Sequence, residues 1–208
     1  MKKLKSITTV FILITLLIGC SSVRITDSWR GSKTLNIKKK NILVVSKTED
    51  RATQIRFEKD LVLNLNKNGL TSIESHVKFP YSDPTEKVEK NKEKEIIKNL
   101  RKSNIDIIII SSLVDSKKYT YSINTNENIQ PFPYRYRKYR SFYEYTNQEH
   151  NTIEMEGTTY VLETLVYDIT QQTQDQLISI ITSEVDNPNN LSTTSNDFSK
   201  RIIKDLMK

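Results

Sequence analysis

Residues 41–73 read NILVVSKTEDRATQIRFEKDLVLNLNKNGLTSI. Ile42 to Val45 form a short apolar run rich in β-branched side chains, the pattern of a buried strand. Ala52, Ile55, Leu61, Val62 and Leu65 then recur at helical spacing. Asp50 is a good N-cap for that helix. Asn68-Gly69 ends it, because Gly69 adopts positive φ without a Cβ clash. Leu70 to Ile73 reads as a second strand. A strand–helix–strand unit implies a right-handed crossover and a parallel pair, hence an α/β fold.

The remaining elements are read outward from this unit. Asp83-Pro84-Thr85-Glu86 has the composition of a helix start, with a cap, a proline at the first helical position and a capping-box glutamate. That helix is expected to run to about Lys102 as a solvated surface helix. Ile105 to Val114 is nearly all apolar and predicts a central strand. Lys117 to Ser122 alternates like an edge strand. Ile153–Tyr167 and Gln176–Glu184 predict two strands joined by a polar turn over 168–175. Phe198, Ile202 and Leu206 predict a closing helix, with Ser195 or Asn196 as its cap. The expected fold is an α/β (α+β) sandwich with a mixed sheet of five to six strands, in the order βαβαβ-β-β-β-α. Its helices pack on the sheet.

Upstream, Lys2, Lys3 and Lys5 precede an apolar stretch from Ile7 to Leu17, and then Leu17-Ile18-Gly19-Cys20. The stretch is short of the ~20 residues that span a bilayer, and it reads as a cleaved leader over residues 1–19. The last four residues resemble a bacterial lipobox. By that resemblance the chain is cut between Gly19 and Cys20, and Cys20 is acylated. Cys20 is the only cysteine, so no internal disulfide forms. Loss of the leader's three lysines lowers the net charge from +7 to +4. An acylated chain is anchored to a membrane without spanning it. Ser21 after the cysteine, by resemblance to lipoprotein sorting in enteric bacteria, implies the outer membrane, facing the periplasm. Residues 20–40, with Trp29, are expected to be a tether. Trp29 either docks on the domain or packs against the first strand. Residues 41–208 are expected to form a single domain. Four glycines and five prolines exclude a collagen-like or low-complexity chain.

The matching residues Trp29, Ile42 to Val45, Arg56 with Glu58, and Glu163 to Asp168 also carry a wider resemblance. The layout is similar to small bacterial envelope lipoproteins with one α/β domain. Those include the N-terminal domain of the translocation protein TolB and lipoproteins of curli secretion and cell-wall-synthase activation. This resemblance implies a non-enzymatic domain that binds another envelope protein.

Seven of ten tyrosines fall between 119 and 145, in an insertion placed at about 117–150. Within it Tyr134, Arg135, Tyr136, Arg137, Tyr139, Arg140, Phe142 and Tyr143 alternate aromatic and cationic chemistry, as many protein interfaces do. They read as a docking surface for an envelope protein, for a glycan such as peptidoglycan or for anionic lipid, or as rings lying on their own sheet. Export makes nucleic acid a poor partner.

Glu163 shares a predicted strand face with Val161, Leu165 and Tyr167, and a carboxylate there must be paired or solvated. A buried ion pair with Arg51 or Arg56 is one expectation, and a hydrolase site using Glu163 or His150 is another. No G-x-G-x-x-G, P-loop or G-x-S-x-G pattern occurs. His150 among scattered glutamates is a weak metal signal. The expectation is no cofactor, no metal and no enzymatic activity.

Overall fold

The computed structural model describes residues 22–31, 37–86, 89–124, 152–171 and 175–208. In chain order the elements are β1 (Val23–Arg30), β2 (Asn41–Lys47), α1 (Arg51–Lys67), β3 (Thr71–Glu74), α2 (Ser75–Lys78) and α3 (Lys90–Lys102). Then follow β4 (Ile107–Asn124), β5 (Thr152–Asp168), β6 (Leu177–Asp186) and α4 (Leu191–Leu206). The strands form one mixed sheet in the order β1-β6-β5-β4-β2-β3. β2 is parallel to β3 and to β4, and the remaining pairs are antiparallel. The four helices pack on this sheet, so the fold is α/β.

The deciding stretch folds as its pattern demands. Ile42, Leu43 and Val44 are buried between the two faces. Asp50 caps α1 by accepting from Thr53 N at 3.0 Å. Gly69 follows the helix at φ 78°, where a side chain would be strained.

The larger core lies under α1 and α4. Ile42, Val44, Ile107, Ile109, Val166 and Ile181 meet Leu61, Leu65, Phe198 and Ile202. The smaller core, on the other face, joins Leu43, Ile105, Ile108 and Ile169 to Ile97 and Leu100 of α3. Polar ties close the amino end of the parallel strands. Lys40 Nζ lies 2.5 Å from Asp168 Oδ2, and Asp106 Oδ2 accepts from Asn41 N at 2.9 Å.

The structure departs from the expected order in several places. Residues 23–30 are not a tether but strand β1, paired with β6. Val23 and Ile25 face the larger core, while Ser28 Oγ donates to Asp205 Oδ2 of α4 at 2.6 Å. Trp29 falls on the opposite face, opposite Ile180, and stays half exposed. The segment 83–86 is a turn rather than a helix start. Asp83 Oδ1 spends itself on Thr85, accepting from its N at 2.8 Å and its Oγ1 at 2.7 Å. The helix begins only at Lys90. The expected central strand and edge strand are one strand, β4. A bulge between Leu113 and Asp115 bends the chain without ending its pairing with β5. Finally, α4 starts earlier than expected, capped by Asn190, which accepts from Ser192 N at 2.8 Å.

Candidate functional site

The parallel pair ends with Ser46 and Lys47 of β2 alongside Ser111 and Ser112 of β4. In α/β sheets the carboxyl ends of parallel strands are where ligands sit. α1 and α4 lie on the same face here and meet through Phe57 and Phe198, whose ring centroids are 5.3 Å apart. Above this aromatic pair is a cleft of about 390 Å³. That volume falls at the low end of the ~300–1,000 Å³ typical of small-ligand pockets. Phe57, Phe198, Tyr160, Leu162 and Val185 supply its apolar walls, and Leu113, Pro188 and Leu191 line it further. Hydroxyls punctuate the lining at Ser46, Thr48, Thr53, Ser111, Ser112 and Thr194, and Lys47 is its one cation among the described residues. No carboxylate or imidazole lines the cleft among the described residues.

Both helices that flank the cleft have a side-chain cap at their N-terminus. Asp50 accepts from Thr53 N of α1, and Asn190 accepts from Ser192 N and Thr193 N of α4. Cap side chains thus take up amides that could otherwise hold an anion. Lining and caps together suit a ligand with a long apolar body and a small polar part.

Behind the cleft lies a buried carboxylate. Glu58 Oε1 accepts from Ser46 N at 3.0 Å, Gln54 Nε2 at 3.0 Å and Ser75 Oγ at 2.6 Å. Its Oε2 accepts from His76 N at 3.0 Å and lies 2.6 Å from His76 Nδ1. Burial pushes the Glu58 carboxyl up. The bonds from Ser75, His76 and Ser46 outweigh that and hold it below the usual glutamate range. This network joins the end of β2, the middle of α1 and the start of α2.

Beyond the cleft the described part of the sheet narrows to two strands. β6 ends at Asp186, opposite Thr159, and β2 ends at Lys47, opposite Ser112. Among the described residues, β4 from Lys117 to Asn124 pairs only with β5. Eight residues at ~3.3 Å each carry this ribbon about 25 Å past the body. At its base Tyr119 Oη donates to Asp186 Oδ1 at 2.7 Å. The Tyr119 ring lies so close over Gly157 that a methyl there would meet its Cζ at 2.4 Å.

The expected ion pair of Glu163 with Arg51 or Arg56 does not form. Arg51 donates to Gln54 Oε1 at 2.7 Å. Arg56 donates to Asp60 Oδ2 at 2.8 Å and to Ser192 Oγ at 2.5 Å. Both arginines are on α1, whereas Glu163 shares the face of Tyr167, under α3. The sheet itself separates them. Gly19, Cys20, Tyr134, Arg135, Tyr136, Arg137, Tyr139, Arg140, Phe142, Tyr143 and His150 lie outside the described residues. Sequence reasoning missed Glu58 and His76 as a bonded pair, and the hydroxyl-lined cleft altogether.

The sequence matches no family model and no curated protein. Solved structures with a similar layout include the PelC dodecamer from Paraburkholderia phytofirmans, at 10% identity and a TM-score of 0.44, covering 88% of this chain and 95% of that one. They also include lipoprotein GNA1162 from Neisseria meningitidis, at 12% identity and a TM-score of 0.39, covering 81% of this chain and 98% of that one. Likeness at this level is too low to carry a partner, an assembly or an activity to this chain. The similarity to TolB and to curli-secretion or synthase-activating lipoproteins stays a resemblance of sequence layout.

Proposed function

We propose that the chain is a lipid-anchored, non-enzymatic envelope domain that presents the segment 125–151 to another envelope protein. The observation that carries this reading is the β4–β5 ribbon. The chain leaves it at Asn124 and returns at Thr152, about 25 Å from the body. Among the described residues this ribbon has two open edges; a two-stranded ribbon by itself is marginally stable in water, and open edges invite pairing. A partner that packs on the ribbon and on Tyr134 to Tyr143 would remove both costs. A cleft lined by apolar groups and hydroxyls also suits binding better than acid–base chemistry.

The anchor supports the same reading. Ser22 O accepts from Asp186 N at 2.8 Å, at the base of the ribbon. Cys20 is two residues upstream, so the membrane and the ribbon share one end of the sheet. The partner would therefore sit at the membrane surface, on the periplasmic side of the outer membrane.

The test replaces residues 125–151 with Asn-Gly, a two-residue turn suited to a hairpin. Thermal melting should show the body still folded. In-cell cross-linking should then lose one abundant protein species that the wild type captures. Equal capture by both proteins rejects the segment as the contact surface. Cosedimentation with purified cell wall that depends on 125–151, without a protein partner, would transfer the role to peptidoglycan.

A further inference from the structure

We propose that the cleft above Phe57 and Phe198 holds one acyl chain of a glycerophospholipid drawn from the anchoring membrane. The inference rests on the anchor reading above, and three features of the molecule support it.

The first is position. Val23, the first residue of β1, pairs with Val185, which lines the cleft. Cys20 lies two residues before Ser22, a span of at most about 7 Å. An acylated Cys20 therefore brings this end of the sheet to the bilayer surface.

The second is the mouth. Leu113, Val114 and Leu191 are large apolar side chains, and each is 41–54% exposed. Leu113 and Leu191 line the cleft, and Val114 follows Leu113 at the bulge of β4. Leucines left in water at a cleft mouth suit an apolar phase beside it.

The third is the lining. Phe57, Leu162 and Phe198 offer an apolar slot, while hydroxyls of Ser46, Thr48 and Ser112 are placed for the ester oxygens. Lys47, the one lining cation, complements a phosphate headgroup. Bilayer lipid is the committed occupant because it surrounds the mouth in great excess over the single anchor of each chain.

The test uses the full-length, lipidated protein in vesicles of phosphatidylethanolamine and phosphatidylglycerol. A fraction of the phosphatidylglycerol carries a photoreactive group near the acyl terminus. After irradiation, labelled peptides are mapped by mass spectrometry. Labelling of the peptides holding Phe57, Leu162 and Phe198 is expected. Leu162→Trp fills the slot, and displacing about two methylenes should lower that labelling roughly tenfold. Lys47→Glu, an exposed change that leaves the core intact, should lower labelling by the anionic lipid while sparing labelling in a parallel sample whose phosphatidylethanolamine carries the photoreactive group instead.

Label confined to residues 113–114 and 191 would overturn the proposal, because the bilayer would then touch only the mouth. Unchanged labelling in a folded Leu162→Trp would overturn it too. So would a cleft closed to added lipid by the chain's own anchor. The same digest reports the mass of the Cys20 peptide. An unmodified Cys20 would sink the anchor reading, whereas acylated Cys20 with unlabelled Phe57 and Phe198 would sink the lipid cleft alone.

Discussion

On one face of the sheet Glu58 is fully buried and receives donors from Ser46, Gln54, Ser75 and His76. On the other face Glu163 stands half-buried, and the described residues give it neither a hydrogen bond nor an ion pair. The two carboxylates mark two kinds of packing on the same six strands. The α1/α4 face excludes water, so an acid there needs every acceptor site satisfied. Among the described residues, the α3 face is covered by Ile97 and Leu100 of α3 and by Phe79, and its buried cluster is the smaller of the two. What decides the environment of a strand residue is which helices cover its face, more than its neighbours along the strand.

The sharpest way to break this contrast is Glu58→Ala. It strands several buried donors at once, each costing ~1–3 kcal/mol when unsatisfied. The expected loss is about 4 kcal/mol in urea denaturation. A variant that loses under 1 kcal/mol would mean that water satisfies these donors.

The acid side of the stability curve tests the same group. Its folded-state carboxyl titrates below the usual glutamate range, so the unfolded chain takes up the proton first as pH falls. The Glu58 contribution is therefore complete above about pH 4.3 and fades as pH drops through the lower folded value. Asp168 and Asp205 have the same sign. Burial raises both, and bonds from Lys40 to Asp168, and from Lys208 and Ser28 to Asp205, overcome it. Glu58→Gln should flatten the curve below pH 5 relative to wild type.

Core truncations should rank the two faces. Phe198 is 1% exposed and packs with a tilted ring against Phe57, so Phe198→Ala should cost ~3–4 kcal/mol. Leu100 packs only partly buried on the smaller core, and Leu100→Ala should cost about 2 kcal/mol. Equal costs would show that α3 covers its face as tightly as α1 and α4 cover theirs.

How much of this was legible in the sequence follows from where each signal lives. Val44 and Leu61 sit in periodic runs, and Asp50 and Gly69 are local punctuation, so the β2–α1–β3 unit reads directly. The strand β1 was missed although Val23-Arg24-Ile25-Thr26 alternates, because its position after Cys20 suggested a tether. The Asp83-Pro84 helix start failed because Asp83 found a nearer donor in Thr85. The cleft was invisible, since Leu113, Leu162 and Phe198 come from three distant segments that only the sheet order brings together. Glu58 was partly legible. With Gln54, Leu61, Val62 and Leu65 it lies on the buried stripe of α1, yet a charged letter reads as surface. Glu163 stands out in the sequence instead, because its strand neighbours are apolar, and strand alternation does not reveal which face a helix covers.

The smallest expected effect lies at Glu163 itself. If its face is open to water, Glu163→Gln should change stability by no more than about 0.5 kcal/mol. It should still leave a trace at Tyr167. The Tyr167 hydroxyl is raised above the usual tyrosine range first by burial, then by the negative charges of Glu163 and Glu93. Ionising a tyrosine beside a carboxylate adds like charge to like, so removing the Glu163 charge makes that ionisation easier. Tyr167 in Glu163→Gln should therefore titrate lower than in wild type. It should stay above an exposed tyrosine, because burial and Glu93 persist. Ultraviolet difference titration of both proteins, with Tyr167→Phe to assign the signal, reads the shift. A large loss of stability with no movement of Tyr167 would place Glu163 in a bonded network like that of Glu58, and the contrast between the two faces would fall.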